Sequence, residues 1–527
     1  MVRLLLPLSV LLLVACGGGG GGGDDDVGPF NPLRTIAVTV RAGAAPATDS
    51  RLELTTIDGL PSVNVQPAGF DTVGGPTWSP AHHRVAFLAI DSVTEFARLY
   101  VADPVTLVAL EVSEGIPAAA RVWEFEWSPQ SDRLVFTASE PGGSNRGWIV
   151  NDDGTGLAQR FFPFNGNSSE GIEEPRWSPD GLSVAFLDAS VDLDSPSLWL
   201  GDAATGFAFT LASPDDGTLA GVDTFEWSPD GLRIALIGEL ETAGAQEAFV
   251  VPSSGAGPLA RLHDPLAAGR GVSYLEWAPN GSRVALIGDL LVDGRSEVFT
   301  CLPTGGSATP INGALVAGGE AQEFFWAPNS LLLAYLADQA TDDLVQLYVR
   351  SADGSGAALE VSPGVQGSVE EVAWSPNSAL LAYAAGPGLA SGGVYVRPPA
   401  PVPGLRVSVT SLATPGGVGR IEWSPLSDRL AYNAGHVLAD RMDCFVATLA
   451  AASAVRITDF SGPAGSESRS SVFGFDDAGA RVYYSQNDDA TNQSFLFSDL
   501  GDGDSRRTHA GPFPYTLLNG VQRAVLR

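Results

Sequence analysis

Three observations predict an all-β protein built from repeated four-stranded units. First, a Trp-Ser-Pro or Trp-Ala-Pro tripeptide recurs eight times along the 527-residue chain, with gaps of 48 to 50 residues. Second, short apolar strands separated by turns fill each repeat, and the chain contains 62 Gly and 37 Pro residues. Third, no segment keeps the 3.6-residue apolar period of a long helix. A period near 50 residues in an all-β chain is typical of β-propeller blades.

The repeat unit contains four predicted strands, as the third copy shows. A short strand over 174–177 runs into the turn Ser178-Pro179-Asp180-Gly181, in which Pro fixes φ and Gly tolerates a positive φ. Further strands are predicted over 183–187, 197–200 and 208–212. The tryptophans of the eight copies are Trp78, Trp127, Trp177, Trp227, Trp277, Trp326, Trp374 and Trp423, and Phe475 takes this place in a ninth, degenerate copy.

The two ends of the repeat array predict how it closes. Residues 35–40 have the pattern of a second strand with no first strand before them, while residues 523–527 lie where the next first strand is due. Pairing of these segments would complete an N-terminal blade and remove an exposed sheet edge. We therefore predict about ten blades in one ring. Because propellers usually have four to eight blades, two fused smaller propellers are the alternative.

The N-terminal segment has the pattern of an export signal. Arg3 precedes an apolar run of 11 residues over 4–14, which is too short to span a bilayer but suits a signal peptide. The run ends in Leu13-Val14-Ala15-Cys16, which resembles a bacterial lipobox and implies cleavage before Cys16 and a diacylglycerol on its thiol. The alternative is an ordinary secretory signal. We predict three parts: a signal peptide over 1–15, a lipidated Cys16 with a Gly/Asp-rich tether over 16–33, and a propeller over 34–527.

The repeats resemble the TolB-type, WD40-like β-propeller repeat, whose hallmark is Trp-Ser-Pro-Asp-Gly followed by an apolar strand. Residues 177–181 and 227–231 match this motif in full, and residues 277–281 differ from it by Ala and Asn. The resemblance covers residues 34–527 and implies a propeller fold. Together with the lipobox it implies an outer-membrane lipoprotein that faces the periplasm or the cell surface. Gly17 favours the outer membrane by analogy, since an inner-membrane retention signal would have Asp there.

The charge balance restricts the partners of this chain. It carries 61 acidic residues against 29 basic ones, all of them Arg, for a formal charge of −32. Nucleic acids and anionic membranes bind through basic side chains. We therefore expect no nucleic-acid partner, and we expect contact with the membrane through the lipid anchor only.

The search for catalytic patterns points away from an enzyme. The five histidines form no His-x-x-x-His or His-Glu-x-x-His pattern, no Gly-x-Ser-x-Gly elbow occurs, and a chain without Lys has no P-loop. Some pectin-fragment lyases resemble this repeat, but an acidic chain would repel an acidic oligosaccharide. The sequence therefore predicts a non-catalytic protein without a resident cofactor.

Acidic residues follow a pattern on the predicted first strands. Side chains two positions apart share one face of a strand, and first strands surround the central channel of a propeller. A wide acidic channel could hold a basic segment of a partner or Ca²⁺. The candidate binding residues are Glu124, Glu126, Glu174, Glu226, Glu276, Glu323, Glu371 and Glu422.

These patterns predict a lipid-anchored scaffold of the cell envelope that binds a protein or peptide. A glycan- or calcium-binding surface module is the alternative, and a polysaccharide lyase fits least well. The calcium hypothesis also includes two loose aspartate clusters, whose members are Asp188, Asp192 and Asp194, and Asp499, Asp502 and Asp504.

Overall fold

The computed structural model describes residues 35–525 with gaps. The segments outside the description are 42–49, 57–62, 81–83, 140–141, 144, 156–158, 161–170, 189–194, 215–218, 364–366, 387–392, 401–404, 407–417, 436–441, 452, 459–468, 476–477, 489–492, 504 and 515–520. The described residues form forty β-strands and one short 3-10 turn at Leu449–Ala451, and none of their helices could cross a membrane.

The strands form eight four-stranded sheets and one eight-stranded sheet, whose two halves are joined by a single parallel pairing of Met442 with Arg469. Counting each half of the large sheet as a blade, we number ten four-stranded blades from the N-terminus. Blade 1 contains β1 (Thr35–Arg41), β2 (Ser50–Thr56), β3 (Val63–Asn64) and the C-terminal β40 (Val521–Val525). Blade 2 contains β4 (Thr72–Trp78), β5 (Val85–Ile90), β6 (Ala97–Asp103) and β7 (Val108–Glu111). Blade 3 contains β8 (Arg121–Trp127), β9 (Arg133–Ser139), β10 (Arg146–Asn151) and β11 (Gln159–Arg160). Blade 4 contains β12 (Ile172–Trp177), β13 (Ser183–Asp188), β14 (Ser197–Asp202) and β15 (Ala208–Ala212). Blade 5 contains β16 (Gly221–Trp227), β17 (Arg233–Glu239), β18 (Glu247–Pro252) and β19 (Ala260–Arg261).

The second half of the chain repeats this arrangement. Blade 6 contains β20 (Val272–Trp277), β21 (Val284–Gly288), β22 (Glu297–Cys301) and β23 (Thr309–Pro310). Blade 7 contains β24 (Ala321–Trp326), β25 (Leu332–Ala337), β26 (Gln346–Ser351) and β27 (Leu359–Glu360). Blade 8 contains β28 (Val369–Trp374), β29 (Leu381–Ala385), β30 (Gly393–Arg397) and β31 (Leu405–Arg406). Blade 9 contains β32 (Val418–Trp423), β33 (Arg429–Gly435), β34 (Met442–Thr448) and β35 (Ser453–Arg456). Blade 10 contains β36 (Arg469–Phe475), β37 (Val482–Asp488), β38 (Gln493–Asp499) and β39 (Arg507–Pro514).

The ten blades close into one ring. Each blade contacts the next along the chain, and blade 10 contacts blade 1 through β38 and β40 and through β39 and β1. Strand β40 pairs antiparallel with β1, with Ala37 opposite Val525 and Val38 opposite Ala524. The prediction of an all-β propeller closed by its C-terminal strand is confirmed.

The blades are held together by apolar layers between neighbouring sheets. One such layer joins Ile237 and Val250 of blade 5 to Leu275, Trp277 and Leu286 of blade 6, and all five side chains are buried. Within several blades, aromatic rings stack across the second and third strands, as Tyr335 and Tyr348 do with centroids 5.4 Å apart. These covered faces explain why the second and third strands are apolar on both sides. Cys301 and Cys444 are unpaired and buried, on the third strands of blades 6 and 9.

The Ser-Pro turn after each first strand has its own hydrogen bonds. In blade 4, the Ser178 hydroxyl donates to the Asp180 carboxylate at 2.6 Å and accepts the Ser183 N–H at 3.0 Å. The Leu182 N–H donates to the same carboxylate, and Gly181 has φ +67°. The motif suits this turn because its Ser and Asp oxygens accept the backbone N–H groups of the turn, and because its Gly adopts a left-handed conformation without strain.

Four blades have Ser at the glycine position of this turn, and three of these serines bond to the preceding blade. Ser131, Ser330, Ser378 and Ser427 all have φ between 59° and 63°. The hydroxyl of Ser330 accepts the N–H of Asn280, and Ser378 accepts that of Asn329 in the same way. The strained backbone, which costs about 1–2 kcal/mol per residue, is thus offset by a bond between blades.

Ser330 allows this balance to be measured. Because Ser330→Gly loses both the strain and the bond, its free energy of unfolding should stay within about 0.5 kcal/mol of the native value. Ser330→Ala keeps the strain and loses the bond, so its free energy of unfolding should fall by about 1 kcal/mol. Chemical denaturation of the native chain and both variants checks this. A Ser330→Ala variant as stable as the native chain would show that the hydroxyl bond contributes nothing, and equal stabilities of the two variants would show that the left-handed backbone carries no strain.

Candidate functional site

The first strands of the blades form the inner wall of the ring. Each is the first strand of its four-stranded blade, so only one of its edges is paired within the blade, and in blade 10 β36 also pairs with β34 of blade 9 at one position. First strands of neighbouring blades contact one another, as β8 contacts β12, β16 contacts β20 and β24 contacts β28. Their second edges therefore face the next blade and the central channel, and the backbone groups there need other partners.

Tryptophan supplies one of these partners. The indole N–H of Trp177 donates to the backbone carbonyl of Glu126 at 3.3 Å, and that of Trp277 donates to Glu226 at 3.1 Å. The acceptor is always the residue before the tryptophan of the preceding blade. Seven blades show the bond, and its donors are Trp127, Trp177, Trp227, Trp277, Trp326, Trp374 and Trp423.

The eight predicted glutamates lie in two rows on these strands. We call the whole set the acidic arc, because it places at least one glutamate on every first strand from blade 3 to blade 9. The first strands of blades 2 and 10, with the sequences TVGGPTW and RSSVFGF, carry no carboxylate. The row next to the tryptophan is Glu126, Glu226, Glu276 and Glu422, and the row two positions earlier is Glu124, Glu174, Glu323 and Glu371.

The surroundings of three glutamates in the first row favour the protonated carboxyl. Burial, together with the nearby Glu276 carboxylate, raises the pKa of Glu226 to about 8. Burial likewise raises the pKa of Glu276 to about 7 and that of Glu126 to about 7. These carboxyls therefore exchange protons near neutral pH, where ordinary glutamates are fully ionised.

The second row shows the same effect. Burial raises the pKa of Glu124, Glu174, Glu323 and Glu371. The negative charge of Glu323 raises the pKa of Glu371 further, which shows that blades 7 and 8 bring their carboxylates together. Arg176 opposes the effect in blades 3 and 4, where it lowers the pKa of Glu124 and Glu174.

Three members of the acidic arc also hold the next blade. Glu126 accepts the backbone N–H of Trp177 at 2.8 Å, and Glu226 accepts that of Trp277 at 3.2 Å. Glu124 accepts the N–H of Glu174 at 3.3 Å. These carboxylates satisfy backbone donors on the inner edges of the sheets, so part of the arc is structural.

The remaining members are bound less tightly to the scaffold. Glu422 pairs with Arg420 on its own strand. Glu276 accepts a hydrogen bond from the Tyr274 hydroxyl. Among the described residues we find no hydrogen-bond partner for the carboxylates of the three others, which are Glu174, Glu323 and Glu371.

A β-bulge adds residues that strict alternation did not predict. The ladder between first and second strands skips one residue in most blades, for example Trp123 between Val122 and Glu124. The skipped residues Trp123, Asp223 and Glu370 are exposed beside the arc. Tyr274, 42% exposed, also lies on this wall. A Gly or a break in the apolar pattern usually marks a bulge, and no Gly marks the bulges at Trp123 and Glu370.

The other candidate residues are the lipobox cysteine and the two aspartate clusters. Cys16, Asp192, Asp194 and Asp504 lie outside the described residues. Asp499 is buried, and its Oδ1 accepts backbone N–H groups of residues 501, 502 and 503, so it caps its own turn. The described residues contain no group of three or more His, Cys, Asp or Glu side chains placed to hold a metal ion.

Comparisons with known proteins find only distant similarities, among solved structures. No family model matches the chain, and no curated protein matches it. Among solved structures, a eukaryotic initiation factor is 12% identical, with a TM-score of 0.49 over 79% of this chain and 93% of that one. Dipeptidyl peptidase 4 from Porphyromonas gingivalis is 14% identical, with a TM-score of 0.48 over 77% of this chain and 65% of that one. TolB from Acinetobacter baumannii is 17% identical, with a TM-score of 0.28 over 64% of this chain and 66% of that one. The chain thus spans just under two thirds of the peptidase and of TolB.

The prediction that the chain is not an enzyme is wrong in the form given above. The similar structures include several peptidases, among them prolyl endopeptidases and the tricorn protease, and an oligogalacturonate lyase. Catalytic proteins are thus among the structures to which this chain is similar, and the patterns absent from its sequence describe only a few kinds of active site. The absence of those patterns does not exclude catalysis.

The raised pKa of Glu226 predicts a specific pH dependence of stability. Between its unfolded pKa of about 4.3 and its folded pKa of about 8, the folded protein binds a proton that the unfolded chain has released. Stability therefore falls as pH rises through this window. Glu226→Gln keeps an oxygen for the Trp277 N–H and carries no charge. It should raise the free energy of unfolding by roughly 1–3 kcal/mol at pH 8 and leave it unchanged at pH 4.

Thermal unfolding of the native chain and this variant at the two pH values is the measurement. Glu114→Gln, at an exposed loop position, is the matched control and should have no effect at either pH. Equal melting temperatures of the native chain and Glu226→Gln at pH 8 would contradict a desolvated carboxyl at this position.

Proposed function

We propose that this chain is a lipid-anchored propeller of the bacterial cell envelope whose acidic arc binds a positively charged segment of a partner protein or peptide. The observation that carries this proposal is the run of glutamates on seven consecutive first strands, from blade 3 to blade 9. The lipobox at Cys16 supports the anchor and the outer membrane, facing the periplasm or the cell surface. The TolB-like repeat supports a role in the envelope.

The electrostatics of the arc favour a cationic ligand. Burial raises the pKa of seven of its carboxyls, and neighbouring carboxylates raise those of Glu226 and Glu371 further. An Arg or Lys side chain placed among them would stabilise the ionised form and lower those pKa values again. Binding should therefore release protons, and affinity should rise between pH 6 and pH 8.

The arrangement favours an extended segment over a single cation. The glutamates are distributed over seven blades, so no one point contacts them all, whereas an extended chain advances about 3.3 Å per residue and reaches several blades. Exposed aromatic rings on the same strands, such as those of Trp123 and Tyr274, would also favour a cationic segment. The Arg121 guanidinium lies 4.1 Å from the centre of the Trp123 ring, so this wall already accommodates a cation over an aromatic face.

A labelled ten-residue oligoarginine peptide tests the proposal in solution. The triple variant Glu276→Gln, Glu323→Gln and Glu371→Gln removes three charges and spares the glutamates that bind backbone N–H groups. It should weaken peptide binding at least about tenfold, since each charge pair is worth roughly 0.5–1 kcal/mol or more when partly desolvated. Fluorescence anisotropy at pH 8 and moderate salt measures the affinity.

A matched variant separates the effect of the arc on binding from the effect of net charge. The substitutions Glu114→Gln, Asp293→Asn and Asp342→Asn remove three negative charges from exposed loops outside the arc. This control should change the affinity less than about twofold, because solvent and salt screen such distant charges. Equal losses in both variants would reject a specific site. Crosslinked capture from the native envelope with the same pair of variants would then identify the physiological partner, which should be lost only with the arc variant.

A further inference from the structure

Two Arg residues take places in the two rows of the acidic arc. Counted back from the tryptophan of each blade, the first row is one residue away and the second row is three residues away. Arg176 occupies the first-row place of blade 4, where blades 3, 5, 6 and 9 have glutamate. Arg420 occupies the second-row place of blade 9. The chain therefore puts guanidinium groups of its own among the carboxylates of the arc.

Arg176 acts on the part of the arc that lies on blades 3 and 4. Burial raises the pKa of Glu124, Glu126 and Glu174, and the positive charge of Arg176 opposes burial at all three. Because Arg176 is exposed on the inner wall, a ligand in the channel would also meet its charge directly. These three glutamates therefore already have a counterion, and a second cation would gain less from them.

Arg420 has the same effect at the other end of the arc. It is exposed and forms an ion pair with Glu422 on its own strand. In blade 8, burial and neighbouring glutamates raise the pKa of Glu371, and the charge of Arg420 opposes them. The arc is thus partly neutralised at both of its ends, by one Arg in each row.

The first strands of blades 5 to 8, which lie between these two Arg residues, contain no basic residue. Their sequences are GVDTFEW, VSYLEW, AQEFFW and VEEVAW. Burial raises the pKa of Glu226, Glu276 and Glu323, and among the described residues we find no Arg that opposes it. Uncompensated negative charge is therefore concentrated in this part of the ring. The acidic residues of the four strands are Asp223, Glu226, Glu276, Glu323, Glu370 and Glu371.

An aromatic side chain lies in the middle of this stretch. Tyr274 takes the second-row place of blade 6, and its hydroxyl donates to Glu276. Its ring packs against that of Phe324 in blade 7, with centroids 5.5 Å apart, and Tyr274 is still 42% exposed. A ring held in this way beside carboxylates can accept an Arg or Lys side chain on its face. Blades 5 to 8 thus provide both kinds of group that bind a guanidinium.

We propose that the positively charged segment binds across blades 5 to 8, and that Arg176 and Arg420 are the residues that limit it to this part of the arc. This inference rests on the proposed function and names the part of the arc that performs it. Each Arg repels a cation that approaches blade 4 or blade 9 and competes with it for the carboxylates there. The Cα atoms of contacting first strands, such as β16 and β20, approach within 8 Å. Three steps of this size correspond to roughly seven residues of an extended chain.

Two double variants of the second row test this limit with a labelled seven-residue oligoarginine peptide. Glu323→Gln with Glu371→Gln removes two charges from blades 7 and 8, and Glu124→Gln with Glu174→Gln removes two from blades 3 and 4. By fluorescence anisotropy at pH 8 and moderate salt, the first pair should lose at least about fivefold in affinity, and the second pair should lose at least about three times less. Equal losses would overturn the inference and leave the proposed function standing. No loss with either pair would overturn both.

Removal of the internal cation is an independent test, in which the expected change has the opposite sign. Arg176→Gln should raise the affinity for the same peptide at least about threefold, because the glutamates of blades 3 and 4 lose their counterion. Arg176→Lys keeps the charge and should restore the native affinity. Arg456→Gln removes the same charge from an exposed position on the outer strand of blade 9, and should change the affinity less than about twofold. Equal affinities of the Arg176→Gln and Arg456→Gln variants would overturn the inference.

Discussion

The hydrogen bond from the indole N–H of one blade to the backbone carbonyl of the preceding blade is the constraint on which the ring depends. Donor and acceptor are 49 to 51 residues apart in every described case, which is one repeat, and their distances are 3.0 to 3.4 Å. The bond satisfies an acceptor on the inner edge of each sheet and sets the offset between blades. Because the same offset recurs, each added blade turns the chain by a similar angle, and ten of them close.

The acidic arc is a consequence of the same inner edge. An edge strand presents N–H groups as well as carbonyls, and the indole can satisfy only the carbonyl. The carboxylates of Glu126 and Glu226 accept the N–H of the next tryptophan, so the two groups together complete the edge. Burial of these carboxylates raises their pKa, so the hydrogen bond that joins the blades also places a carboxylate where its charged form is disfavoured. A cationic ligand in the channel would stabilise that charged form, so the scaffold and the proposed site share residues.

The repeat spacing allowed the fold to be predicted, because the Trp-Ser-Pro pattern marks both the donor of the blade-to-blade bond and the turn after it. The pairing of β40 with β1 followed from counting where the next first strand was due. Side-chain alternation found the two rows of glutamates, but it missed Trp123 and Glu370, since a bulge depends on how the twisted strands pair and leaves no Gly here. It also could not separate Glu126, which binds a backbone N–H, from Glu323. That difference arises only when two blades meet.

The two rows of the arc differ in their distance from the Ser-Pro turns. Glu226 and Glu276 directly precede a tryptophan and its turn, whereas Glu323 and Glu371 lie two residues earlier on their strands, nearer the opposite end of the channel. A cationic segment that entered from that end would meet the second row first. Glu174, Glu323 and Glu371 in this row are the members for whose carboxylates we find no hydrogen-bond partner among the described residues. Their oxygens are therefore open to a ligand, whereas Glu126 and Glu226 must first give up a backbone N–H, so the second row should contribute most to binding.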